Sequence, residues 1–170
     1  KKQSEIYKND ELYQLMMALG IETDVENLKY AKIIIATDAD NDGYHIRNLV
    51  MTFFLGYFEE LVTTGRVFIL ETPLFRVRNK KENIYCYSED ERDKAQAKLG
   101  KGAETTRFKG LGEINPTEIR QFINPETMHL TPVEISQLKT VPQLLNFYMG
   151  KNTPERRAFI EKHLLSNADI

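Results

Sequence analysis

The sequence predicts an α/β fold built on a parallel sheet, followed by a smaller α+β region. Three observations carry that expectation. Ile33-Ile34-Ile35 is a β-branched run bounded by polar residues, which reads as a strand buried on both faces. A long apolar periodicity at helical spacing follows, and Arg66–Leu70 (RVFIL) is a second short apolar strand. Strand, helix and strand across Lys32–Leu70 make a βαβ unit, right-handed by default, with helices packed on the sheet. Beyond Pro73 the pattern changes to short strands and capped helices, so a boundary falls there, between 1–73 and 74–170.

Lys1–Asn9 is polar and carries no pattern. From Asp10, DELYQLMMALG places Leu12, Leu15, Met16 and Leu19 on one helical face. Asn9 or Asp10 can cap its start and Gly20 can end it. That face reads as packing. Ile21–Tyr30 is a connection with room for one short helical turn. Ile46, Leu49, Val50, Phe53, Phe54, Tyr57, Phe58 and Leu61 then form a wide apolar stripe. They predict a single helix of about five turns that stops at Gly65, with the aromatic stripe as core.

Leu74–Arg78 and Asn83–Tyr87 pair as an antiparallel hairpin around the polar turn Asn79–Glu82. Its basic residues, Arg76, Arg78, Lys80 and Lys81, read either as surface or as contacts to a polyanion. Ser88 and Glu91 make a capping box for a helix ending near Leu99-Gly100. Thr105–Phe108 is a short strand, and Lys109-Gly110-Leu111-Gly112-Glu113 is a glycine-punctuated loop. Asn115, Pro116 and Glu118 supply the cap, first-turn proline and third-position acid of another helix, which Asn124-Pro125 ends. Thr140 and Gln143 cap a helix that stops at Gly150. Thr153-Pro154 opens a last one bearing Arg156, Arg157, Phe159, Ile160 and Leu164.

Asp38, Asp40 and Asp42 sit between the first strand and the long helix, at the carboxyl end of a strand, where open α/β sheets bind ligands. Carboxylates so crowded repel one another unless a cation neutralises them. Mg²⁺ takes oxygen ligands, commonly one or two carboxylates plus substrate phosphates. The other reading is a solvated acidic turn that caps the helix behind it. An EF-hand is excluded, because its twelfth position requires a bidentate Glu and here Leu49 stands there. The helix that starts beside the acids also favours anions at its N-terminus, phosphate included.

Composition limits the rest. The 170 residues are 41% hydrophobic and 28% charged, as in ordinary globular chains. No apolar run is long enough to span a bilayer, and no signal-peptide pattern opens the chain. Cys86 is the single cysteine and cannot form an intrachain disulfide, so cytoplasm is the expected location. The net charge of −2 does not announce a nucleic-acid partner. Any such binding falls to local basic patches.

TDADNDGYHIR at Thr37–Arg47 resembles the acidic motif of the Toprim fold, a Rossmann-like parallel sheet. More narrowly it is similar to the B subunits of the bacterial type IIA DNA topoisomerases, gyrase and topoisomerase IV. LKYAKIII before it, MTFFLGYFEELVTTGRVFILETPLFRV after it, RFKGLGEINP at Arg107–Pro116 and MGKNTPERRAFIE at Met149–Glu161 follow in the family's order. The resemblance covers the chain from Asp10 onward. Asn41 and Tyr44 depart from the family's usual residues, at positions not expected to ligate metal.

The resemblance implies a Toprim domain, N-terminally truncated, over 1–73 and a small α+β tail domain over 74–170. It implies an ATP-dependent type II topoisomerase that cleaves and reseals double-stranded DNA. Asp38 and Asp40 correspond to the catalytic Mg²⁺ ligands and Asp42 to a supporting acid. His45 falls close to DNA, Lys109 near the cleavage site, and Arg156, with Arg157 beside it, at a DNA-contacting position. The nucleophilic tyrosine belongs to the A subunit, the partner in a heterotetramer. The family's EGDSAGG-like strand, whose glutamate completes the metal site, does not occur here, and neither does the ATPase domain. The chain is therefore expected to be a carboxyl-terminal part of the longer polypeptide, inactive alone, with ATP bound only by the full-length protein.

Residue by residue, other readings stand beside these. Lys109 reads also as an ordinary exposed lysine, and Arg156-Arg157 as a solvated helix face. For His45, metal, DNA and a hydrogen bond to Asp42 are all open. A different enzyme class, a dehalogenase-like phosphoryl-transfer enzyme with Asp38 as nucleophile, also fits DxD after a strand. It leaves the RFKGLGE and ERRAFIE blocks without a role. A non-enzymatic interaction module, its acids merely surface, is the third reading.

Overall fold

The computed structural model describes residues 3–136 and 138–164. Its helices are α1 (Asp10–Leu19), α2 (Asn41–Tyr57), α3 (Glu59–Thr63), α4 (Glu89–Leu99), α5 (Pro116–Phe122), α6 (Val141–Met149) and α7 (Thr153–His163). Its strands are β1 (Ile33–Ile35), β2 (Val67–Glu71), β3 (Phe75–Arg78), β4 (Asn83–Cys86), β5 (Glu104–Arg107) and β6 (His129–Pro132). By packing the chain forms two compact units. One comprises Lys1–Leu28, Met51–Thr64 and Glu134–Ile170, the other Lys29–Val50 and Gly65–Val133.

The second unit holds both sheets. β1 runs parallel to β2, Ile33 opposite Val67 and Ile35 opposite Ile69, as the strand–helix–strand order requires. β6 adds antiparallel on the far side of β2, in the order β1-β2-β6. Two differences from the sequence expectation appear here. β1 is an edge strand and is not buried on both faces: Ile33 and Ile35 are buried, while Ile34 is 39% exposed. And β6 has no apolar alternation to reveal it. HLTP owes its place to backbone pairing with β2, and its proline is tolerated because the strand lies at an edge.

The other sheet, in the order β4-β3-β5, is the expected hairpin with a third strand. Asn79 makes the turn, its Oδ1 accepting the N–H groups of Lys81 and Glu82 at 2.8 and 2.9 Å. Phe75, Val77 and Cys86 of this sheet bury against Ala95 of α4. Ser88 caps α4 by accepting the Glu91 N–H, and Glu91 reaches back to the Tyr87 N–H. A neighbouring cluster of Phe108, Ile114 and Phe122 seats α5, whose start carries the predicted Asn115–Glu118 capping box.

Arg76 on β3, Tyr85 on β4 and Glu118 on α5 form a largely buried polar network. Arg76 Nη1 and Tyr85 Oη both donate to Glu118 Oε1, at 2.6 and 2.8 Å. Burial opposes the charge on Glu118. The hydrogen bonds from Arg76 and Tyr85, and the Arg76 charge, outweigh it and hold the carboxyl below its usual range. Tyr85 is pushed up to about 12, by burial first and then by Glu118.

The first unit is helical. Asn9 accepts the Leu12 N–H to cap α1, and Gly20 closes it in the left-handed conformation at φ 77°. Met16 and Leu19 bury as expected. The segment before α1 is not patternless: Gln3–Lys8 is a 3-10 helix that buries Ile6. The single five-turn helix is also corrected. α2 breaks at Phe58, which has φ −134° and ψ 46°, and the short α3 follows. Gly56 weakens the helix just before the break, and the Phe58 ring buries against Phe53, centroids 5.2 Å apart. Phe53, Phe54, Phe58 and Leu61 are core, whereas Ile46 and Leu49 at the start of the stripe are about half exposed. Thr140 precedes α6 without a side-chain cap bond.

Because Glu118 is depressed in the folded state, the stability it contributes is fully present above the ordinary carboxylate pKa. It is lost as pH falls through the folded value. Glu118→Gln is expected to cost about 1–3 kcal/mol near neutrality, a charged hydrogen-bond pair reduced to a neutral one. Thermal melting of both proteins across pH should show the gap closing from about pH 5 downward.

Candidate functional site

The site is built where β1 ends. Thr37, buried, leads to Asp38, and α2 starts only three residues later. Asp40 caps that helix: its Oδ1 accepts the Gly43 N–H at 2.7 Å and its carbonyl accepts the Tyr44 N–H at 3.0 Å. The capping reading of the acidic turn is therefore realised at Asp40, without excluding the metal reading for the carboxylate's other oxygen. The turn is tight. A Cβ on Gly43 would lie 2.0 Å from the Asp38 carbonyl oxygen, so glycine is a steric requirement there.

Asp38 is met from the other side by the glycine loop. The Leu111 N–H donates to Asp38 Oδ1 at 2.6 Å. A Cβ on Gly110 would lie 3.1 Å from the Asp38 Cγ and Oδ2. One glycine thus lies against the carbonyl of Asp38 and another against its carboxylate. The loop ends are fixed by Phe108 and Ile114, which share one buried cluster. Within the loop, the Lys109 N–H donates to Glu113 Oε2 at 2.8 Å and the Glu113 N–H to the Gly110 carbonyl at 3.1 Å. Leu111 is not signalled by residue type, since its donor to Asp38 is main chain. The only sequence cue is a pair of glycines with an acid closing the loop.

The structure brings Asp38 and the KGLGE loop together. Asp42 and His45 are exposed on the first turns of α2, and the Lys109 side chain is exposed on the loop. A cavity of about 200 Å³ in the same unit is lined by Ala39, Tyr44, Arg47, Glu71, Tyr87 and His129, among others. There the His129 ring stacks on Tyr87 at 4.5 Å and the Arg47 guanidinium lies 5.1 Å over the Tyr44 ring. In the helical unit, Arg156 Nη1 donates to the carbonyls of Phe147 and Tyr148, at 3.2 and 3.3 Å, and to that of Gly150. It closes the C-terminus of α6, as basic side chains do at helix ends. Arg157 pairs with Glu161 at 2.8 Å and is 80% exposed.

Among the described residues no three His, Cys, Asp or Glu side chains gather as a metal-holding group. Asp38 and Asp40 offer two carboxylates rather than three. Each has one carboxylate oxygen held by a backbone N–H, and the donors are hard oxygens. Mg²⁺ binds through one or two such carboxylates while keeping water or substrate oxygens in its other positions. The residues present fit that ion.

Comparison with known proteins gives two family matches: the Toprim domain over residues 4–72 and the carboxyl terminus of the DNA gyrase B subunit over residues 100–161. The chain is 59% identical over 165 residues to the B subunit of DNA topoisomerase 4 from Borreliella burgdorferi, covering 97% of this chain and 28% of that protein. It is 39% identical over 171 residues to the B subunit of DNA gyrase from Thermotoga maritima, covering 97% and 27%. It thus spans little more than a quarter of these relatives' length. A crystal structure of the Plasmodium falciparum topoisomerase II DNA-binding, cleavage and re-ligation domain superimposes with a TM-score of 0.76. That match covers 94% of this chain and 23% of that one at 18% identity, a likeness of fold.

Two pairs of substitutions test this reading. Gly43→Ala forces the Asp38 carbonyl aside and should cost roughly 1–3 kcal/mol or more. Gly56→Ala, with nothing within 4 Å of the new methyl and a helical backbone, should gain about 0.5–1 kcal/mol; denaturant melts of both decide. Arg156→Ala should lower stability by about 1–2 kcal/mol through the loss of its carbonyl bonds. Arg157→Ala should change it by less than about 1 kcal/mol, as for an exposed pair.

Proposed function

This chain belongs to the family of gyrase and topoisomerase IV B subunits, and on that premise we propose that it carries the Mg²⁺-binding, DNA-cleaving part of such a protein. The observation that supports this best is the hydrogen bond from Leu111 to Asp38. It joins the segment matched to the Toprim domain to the segment matched to the gyrase carboxyl terminus. A phosphatase of the dehalogenase type gives the KGLGE loop no such part.

Asp38 and Asp40 would hold the ion, with Asp42 at the helix start adding negative potential. When bound, Mg²⁺ supplies Lewis acidity toward phosphoryl oxygens and a template for alignment. The reaction is a transesterification. A tyrosine of the A subunit forms a bond to phosphorus, the bond to the 3′ oxygen breaks, and reversal reseals the strand. Lys109, exposed on the loop that meets Asp38, would neutralise a phosphate oxygen. His45 lies on the same helix as the acidic turn and faces solvent, where a DNA backbone would approach. Phosphate contacts of this kind position the duplex and carry no sequence information.

Arg157, exposed, can contact phosphate by exchanging its Glu161 partner. Arg156 contributes by holding α6 and α7 together, and contact with DNA would draw it from the carbonyls it now caps. The whole enzyme is proposed to be an ATP-dependent heterotetramer of A and B subunits in the cytoplasm, acting on double-stranded DNA. No described helix is long and apolar enough to cross a membrane. Residues 1–73 would form the Toprim part and 74–170 the tail domain. Without the A subunit's tyrosine the chain alone should pass no strands.

In the assembled full-length enzyme, Asp38→Ala and Asp40→Ala should each lower Mg²⁺-dependent DNA cleavage by roughly 10²–10³-fold, the usual loss on removing a transition-state electrostatic contact. Cleavage at wild-type rates in either variant would overturn the assignment.

A further inference from the structure

We infer that Glu113 is a positioning residue that acts on Asp38 through the backbone of the glycine loop. The inference rests on the metal reading above. The loop between Phe108 and Ile114 contains Gly110 and Gly112. Glycine loses more backbone freedom on ordering than any other residue, so a loop of this composition does not hold a donor in place unaided. Gly110 cannot take a methyl group without pressing on the Asp38 carboxylate. Stiffness has to come from elsewhere in the loop.

Glu113 supplies it in two bonds of opposite direction. Its Oε2 accepts the Lys109 N–H at 2.8 Å, and its own N–H donates to the Gly110 carbonyl at 3.1 Å. These close Lys109–Glu113 into a ring. The Leu111 N–H is left pointing out of that ring, at 2.6 Å from Asp38 Oδ1. The next residue, Ile114, is buried with Phe108 and Phe122 and pins the ring to the core. With the ring open, the Leu111 donor wanders and Asp38 loses the bond that fixes its carboxylate. The side chain serves as an acceptor, so glutamine, whose carbonyl oxygen sits in the same place, preserves the function and alanine does not.

The test uses the full-length protein assembled with its A subunit, in wild-type form and as Glu113→Ala, Glu113→Gln and Asp38→Asn. Mn²⁺ affinity is read by electron paramagnetic resonance, and amide exchange by mass spectrometry over 109–114. Loss of an outer partner of a metal ligand typically weakens the metal by 10–100-fold. Glu113→Ala is expected to weaken Mn²⁺ by roughly 10-fold or more, and to speed exchange in 109–114 without lowering the melting temperature of the assembly. Glu113→Gln is expected to keep both near wild type.

Unchanged affinity and exchange in Glu113→Ala overturn the inference. Equal losses in the glutamine variant do so as well, because they point to charge rather than acceptance. If Asp38→Asn binds Mn²⁺ as wild type does, the metal reading fails instead. Glu113 is then judged on exchange alone, where faster exchange in Ala with retention in Gln supports it and unchanged exchange overturns it. Should the alanine variant not fold, Glu113→Asp, one methylene too short to reach Lys109, takes its place with the same expected losses.

Discussion

A single hydrogen bond between residues 73 apart in sequence, Leu111 N–H to Asp38 Oδ1, ties the acidic turn to the glycine loop. Its acceptor is exposed on a turn and its donor belongs to the main chain. Hydrogen bonds to an ionised carboxylate are roughly twice as strong as neutral ones, yet this one depends on two close approaches. The first turn of α2 lies against the Asp38 carbonyl at Gly43, and the loop lies against its carboxylate at Gly110. The aspartate that begins the site is thereby set by backbone on both sides. Side-chain chemistry enters only through the groups that hold those backbones.

Elements governed by local rules were legible in the sequence. The β-branched run, the capping box at Asn115–Glu118, the polar turn of the hairpin and the glycine end of α1 each follow from a few neighbouring residues. What was not legible depended on contacts made at long range. HLTP becomes β6 only because β2 offers it an edge. The break at Phe58 reflects burial of its ring, which competes with helical periodicity. Ile34, Ile46 and Leu49 are apolar by type and exposed in the structure, because periodicity tells which face a residue is on and not what covers that face. At the site, DxDxDG marked the acids, whereas the partner of Asp38 left no side-chain trace.

Charge followed the same division. The sequence displays basic residues as a linear pattern on the hairpin and at the last helix. In the structure Arg76 and Arg78 pair with Glu118 and Glu104, at 2.6 and 2.9 Å, and Arg156 closes the end of α6. A net charge of −2 is thus arranged so that several conspicuous cations already have acidic or carbonyl partners. Lys109 and His45 are exposed beside or behind the acids instead. Counting Lys and Arg does not separate the cations that are already paired from those left exposed.

The crowding at Gly43 also bears on how this loop can drift over generations. With the Asp38 carbonyl 2.0 Å from where any side chain would begin, all other residue types are closed to that position. Asn41 and Tyr44, on either side of it, face solvent and are open to change. Variation should therefore accumulate around a fixed glycine, set by an obstruction rather than by any chemistry glycine performs.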